Sequence, residues 1–189
     1  MVLCLLKKKG VYLNIFIDLG AYKGLYINRF KKSKIYKPDF KIYAFECNPY
    51  LSHINYGSDV IAIRKAAWIY DGEVSFFINT KMPARVQGSS IYKEKITGDL
   101  DKQHPIKVPC IDFSKWLLRN FKLEDNILIK INIEGAEYNI LEKCISDGSI
   151  NYIKKMWIRW HWQKCKILFN RHEKLTSQLK YCENYEGLK

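Results

Sequence analysis

The feature that most constrains this chain is the alternation of short apolar runs with helical stretches, seen most sharply in "NILIKINIEGAEYNIL" at 126–141. A run of buried-strand character stops at Asn132, Glu134, Gly135 and Glu137. A helix then follows, with Tyr138, Leu141 and Ile145 on one face. The same grammar recurs. "NIFIDLG" (14–20) ends in a glycine loop before a helix over 22–33, and "KIYAFE" (41–46) precedes a short helix in "NPYLSHIN" with Pro49 near its first turn. "DVIAIRKAAW" (59–68) reads as one strand, and "GEVSFFIN" (72–79) alternates like an antiparallel addition. Residues 80–105 read mostly as loop and "IKVPCI" (106–111) as a strand. Asp112 is placed to cap a helix in "DFSKWLLRNF". "KKMWIRWHW" (154–162) alternates Met156, Ile158 and Trp160 against Trp157, Arg159 and His161, and 163–181 reads as helical. Strands alternating with helices predict an α/β fold with a mostly parallel sheet and helices on both faces.

In such sheets the ligand crevice lies at the carboxyl ends of the strands. Asp18–Gly20, Glu46–Asn48, Glu134 and His161 all fall at or just past strand ends, so the topology predicts that they converge. "DLGAYKG" is neither GxGxxG nor GxxxxGK[ST], which argues against a dinucleotide pyrophosphate and an ordinary P-loop. Its glycines allow close approach of a ligand to the backbone at a helix N-terminus, and Asp18 suits a cationic ligand. Glu46, 26 residues beyond Gly20, is placed to hold ribose hydroxyls. A ligand with a ribose, a positive charge and no phosphate fits S-adenosylmethionine.

Composition bounds the alternatives. A chain of 189 residues, 48% hydrophobic and 27% charged, fits one domain: a 1–13 extension, a 14–162 core and a 163–189 helix and tail. No stretch is apolar enough to cross a bilayer, and the start lacks the order of a secretory signal, which predicts a soluble cytoplasmic protein. The six cysteines are scattered, without a CxxC pair or zinc spacing. The formal net charge of +13 comes from 32 Lys and Arg, clustered at Lys7–Lys9, in "RFKKSKIYK" (29–37) and from Lys154 to Lys174. Such clusters are either contacts to a polyanion or a solvated lysine-rich surface. Oligomeric state is not legible.

The ordered set "FIDLGAYKG", "IYAFECNP", "AAW", "DGEVSFF", "GSS", "VPCIDFSKWL", "IKINIEGAEYNIL" and the strand ending in His161 resembles the FkbM-type methyltransferases, Rossmann-like enzymes that use S-adenosylmethionine. The resemblance implies that Asp18, Gly20, Ala21 and Gly24 line the methionine side of the cofactor and that Glu46 binds its ribose. It places Asn48 and Ala67 near ribose and adenine, and Asn132, Glu134 and His161 toward the acceptor. The implied reaction is O-methylation of a sugar hydroxyl on a glycan or related metabolite, with His161 or Glu134 as base and Asn132 orienting the acceptor.

The chain departs from that family at Tyr22, commonly Asn, at Cys47, commonly Pro, and at Asn132, usually Asp. Asn can be neither a base nor a charged ligand, so a divalent ion held by carboxylates would lack one member of its set. The final strand pair of the sheet is expected to be cut short. Competing readings are a nucleic-acid or protein methyltransferase, from the basic clusters, and a non-catalytic scaffold that keeps the fold. At single positions, the glycines could serve only a tight turn, Glu46 could pair with a lysine, and Glu134 could answer the helix dipole. Glu137 reads as structural, and His161 could be a satisfied histidine among Trp157, Trp160 and Trp162.

Overall fold

The computed structural model describes residues 12–81, 87–179 and the backbone of 182–184. The Lys7–Lys9 cluster and the end of the C-terminal tail lie outside them. Strands β1 (Asn14–Leu19), β2 (Phe40–Phe45), β3 (Val60–Ile63), β7 (Asn126–Ile131), β8 (Ile153–Ile158) and β9 (Cys182–Asn184) form one sheet in the order β3-β2-β1-β7-β8-β9. Every pairing in it is parallel. A second sheet, β4 (Ala66–Trp68), β6 (Ile106–Asp112) and β5 (Gly72–Phe76), has β6 in the middle, with β5 antiparallel to it.

Why the main sheet reads as nearly continuous apolar sequence is plain from its two faces. Side chains alternate along a strand, so each central strand feeds two cores. Phe16 and Leu128 join Phe30 and Ile27 of α1 (Leu25–Lys32), together with Trp157 from β8. Ile15, Ile17, Ile127, Ile129 and Ile131 point the other way. They pack with Phe113 and Leu117 of α2 (Phe113–Asn120) and Tyr138 and Leu141 of α3 (Glu137–Ser146). Asp112 caps α2, its Oδ1 accepting from the Lys115 amide at 3.2 Å, a contact of about 1 kcal/mol.

Three expectations are corrected. Residues 59–68 are two strands in two sheets, because the chain breaks at Arg64, whose guanidinium turns to the carbonyls of Leu51 and Ile54. Of the segment 163–181, the described residues 163–179 are helical only over α4 (Phe169–Gln178), and the strand before it ends at Ile158 rather than continuing to Trp162. After α4 the chain returns to the sheet as β9, parallel to β8, where only helix and tail were expected.

The strand order reverses direction between β1 and β7. At such a switch point the loops leaving neighbouring strands run to opposite faces and open a crevice.

Candidate active site

That crevice is a cavity of about 370 Å³, within the usual range for small-molecule sites. Its walls include Gly20 and Ala21 after β1, Glu46 and Asn48 after β2, and Asn132 and Glu134 after β7. Ala67 of β4 closes one side. Asp18, Gly24 and His161 do not line it.

The β1 turn is built by close approach. Gly20 has φ +78, and a Cβ there would fall 2.2 Å from the Asn132 carbonyl oxygen. Beneath it lie two charges that sequence reading did not pair, one in each buried strand: Asp18 and Lys130 are register partners. Lys130 Nζ donates to Asp18 Oδ1 at 2.6 Å and to the Gly20 carbonyl at 2.8 Å. Burial pushes the Asp18 pKa up against the opposing pull of Lys130. Asp18 is wholly buried, so it supports the turn from below rather than facing the cavity. Gly24 begins α1 at φ +77 with Tyr56 packed over it.

Glu46 ties two loops together. Its Oε2 accepts from the Tyr22 amide at 2.8 Å and its Oε1 from the Asn48 amide at 2.9 Å. Burial raises its pKa and those bonds oppose the rise. Each carboxylate oxygen accepts more than one hydrogen bond, so Glu46 can still receive hydroxyls from the cavity. Asn48 is a turn cap as well as a wall, its side chain accepting from the Tyr50 amide. Tyr22 sits at φ +49, a region that Asn adopts more readily than Tyr. Tyr22→Asn is therefore expected to raise stability by about 0.5–1 kcal/mol, read as a higher Tm. A lower Tm would show that the ring's contacts outweigh the backbone strain.

The carboxylates after β7 are partnered. Glu137, fully buried, accepts from the Gly135 amide (2.8 Å), the His161 amide (2.9 Å) and His161 Nδ1 (3.0 Å). Glu134 has Oε2 3.0 Å from Lys95 Nζ and Oε1 3.4 Å from His161 Nε2. Burial pushes Glu134 up, but His161 and Lys95 together outweigh it and hold its pKa at about 2. Burial pushes His161 down, but the two carboxylates outweigh that and raise it to about 9. His161 is therefore cationic at neutral pH and lies behind Glu134, 1% exposed; it is not placed to act as a base on a ligand in the cavity. Of the two expected bases only Glu134 reaches the cavity.

These shifts set a stability profile. The Glu134 contribution is complete above pH 4.5 and is lost as pH falls toward 2. The His161 contribution is complete below pH 6.5 and is lost as pH rises through 9. Tm is expected to be highest between about 4.5 and 6.5 and to fall on the alkaline side, and His161→Asn should flatten that alkaline fall. An equally steep fall in the variant would assign it to other groups.

Sequence reading gives no site role to Lys95 or to Gln87–Ser89, which wall the cavity, and marks Tyr22 only as a departure within its motif. Among the described residues no group of three or more His, Cys, Asp or Glu could hold a metal ion. No helix among them is long and apolar enough to cross a membrane.

A parallel sheet with helices on both faces and a crevice at its switch point, entered by a glycine turn and an acidic strand end, is a Rossmann-like methyltransferase architecture. The family model described as the methyltransferase FkbM domain matches residues 18–183, most of the chain, and the protein belongs to that family. No curated protein and no solved structure matches it.

Proposed function

We propose that the protein is an S-adenosylmethionine-dependent O-methyltransferase acting on a sugar hydroxyl of a glycan or related metabolite. One observation carries the reading: a single cavity joins the Gly20–Ala21 turn and the Glu46 carboxylate to Asn132 and Glu134. The first pair suits a ribose-bearing cationic ligand, and the second suits a hydroxyl acceptor. Bound there, the cofactor supplies a methyl group on a positively charged sulfur, open to in-line attack by oxygen. Asn132 orients the acceptor, and Glu134 accepts its hydroxyl proton. A hydroxyl oxygen that gains the methyl while still holding its proton would be a far stronger acid than a carboxylic acid. A carboxylate with a pKa of about 2 would therefore still take that proton as the oxygen–methyl bond forms and the sulfur–methyl bond breaks, with S-adenosylhomocysteine leaving. His161 acts through Glu134 and Glu137 rather than on the acceptor.

The free thiols of Cys47, Cys110, Cys144 and Cys165 support a cytoplasmic location. Contact of the basic clusters with a polyanion remains a second reading, although several of their members, Lys154 among them, are engaged within the fold. Lys31 pairs with Asp59, and Arg171 makes two 2.7 Å bonds to Glu142.

The test is transfer of labelled methyl from S-adenosylmethionine to a panel of deoxysugars, glycans, RNA and protein. Label in a sugar, cut about 10²-fold or more by Glu134→Gln, supports the proposal. Label in RNA or protein alone assigns a different acceptor. Cofactor binding with no label anywhere supports a scaffold.

A further inference from the structure

Lys95 lies in the stretch that reads as loop, yet its side chain is among the most buried charges of the molecule, 2% exposed. An ammonium in such a place costs several kcal/mol unless it is paired and hydrogen-bonded. Its Nζ lies 3.0 Å from Glu134 Oε2 and also donates to the carbonyl of Gly88, in the segment that walls the cavity. The other oxygen of Glu134 faces His161. We infer that Lys95 is a positioning residue of the acceptor half of the site: with His161 it clamps the Glu134 carboxylate, one cation to each oxygen, and ties the 88–95 segment to it.

Three features support the clamp. A lysine serving only to anchor its loop has carbonyls to use, and this one takes Gly88 but turns a second donor to Glu134. Lys95, Glu134, His161 and Glu137 alternate in sign along one chain of contacts and sum to zero, so loss of any member leaves a buried net charge. The Glu134 backbone is fixed too. It holds φ +54, and its carbonyl accepts from Ser90 Oγ at 2.7 Å and from Cys165 Sγ at 3.3 Å. Such strain in a non-glycine residue persists only where the surroundings over-determine it. Arg159 walls the same cavity as Glu134, and the Cys165 thiol lies against the Glu134 carbonyl; burial and the nearby carboxylates raise that thiol to about 12, so it stays neutral. What the clamp does for an acceptor rests on the proposed function. The clamp itself does not.

The experiment follows the carboxyl resonance of Glu134 with ¹³C-labelled glutamate, assigned by Glu134→Gln, against pH in the wild type, Lys95→Arg and Lys95→Met. The wild type and Lys95→Arg should show Glu134 ionised down to the acid limit of the fold. Lys95→Met should bring its titration up by about one pH unit or more into the observable range. Lys95→Gln asks the same question should the methionine variant not fold. A Glu134 titration unmoved by either neutral variant, whatever their Tm, would reduce Lys95 to a loop anchor and overturn the inference. Binding of S-adenosylhomocysteine is measured on the same samples. If the wild type does not bind it, the cofactor reading fails while the clamp result stands.

Discussion

Gly20→Ala is expected to cost at least about 2–3 kcal/mol of stability and to abolish ligand binding even where the variant folds. Two independent terms add. The backbone is at φ +78, where an L residue pays about 1–2 kcal/mol. The new Cβ would meet the Asn132 carbonyl oxygen at 2.2 Å, and that oxygen is backbone, unable to swing aside. Relief requires the ends of β1 and β7 to part, and with them the Lys130 bonds to Asp18 and to the Gly20 carbonyl. Denaturant unfolding reads the first effect and calorimetry the second. A variant with unchanged midpoint and affinity would mean that the two strand ends are not held together as described.

Glu46→Gln is expected to weaken S-adenosylhomocysteine about 10- to 100-fold. Hydrogen bonds to a charged group contribute roughly 1.5–3 kcal/mol, and every 1.4 kcal/mol is tenfold in Kd. The substitution also strikes the protein itself. An amide has one accepting oxygen where the carboxylate has two, so either the Tyr22 or the Asn48 amide loses its acceptor. A Kd within threefold of the wild type would remove Glu46 from the binding site and leave it as a loop tie.

What could be read in advance, and what could not, separates along a physical line. The strand cores were legible because β1 and β7 are nearly continuous apolar runs broken by one charge each, a pattern that suits strands covered on both faces. The convergence of Gly20, Glu46 and Glu134 followed from topology alone. The electrostatics did not, because charge partners across a fold have no sequence signature. Lys95 sits 39 residues from Glu134 and looks like one more surface lysine in a chain with 32 Lys and Arg. One signal was available and went unread. A lone Asp in "NIFIDLG" and a lone Lys in "NILIKIN" are opposite charges inside two buried strands, and pairing is the only inexpensive way to place them there. Asp18, read as a ligand contact, proved to be half of that pair. His161, read as a base, is held charged between two glutamates. The split of 59–68 into β3 and β4 turned on where one arginine finds its carbonyls, which periodicity does not encode.

The crevice at the β1/β7 switch point is proposed to hold S-adenosylmethionine. Calorimetric titration of the purified protein with S-adenosylhomocysteine tests it most directly, because this product binds without any acceptor. Saturable binding at one site, weakened by Glu46→Gln, is the predicted result. No heat and no saturation at millimolar ligand would contradict it, and would leave a methyltransferase fold whose crevice serves something else.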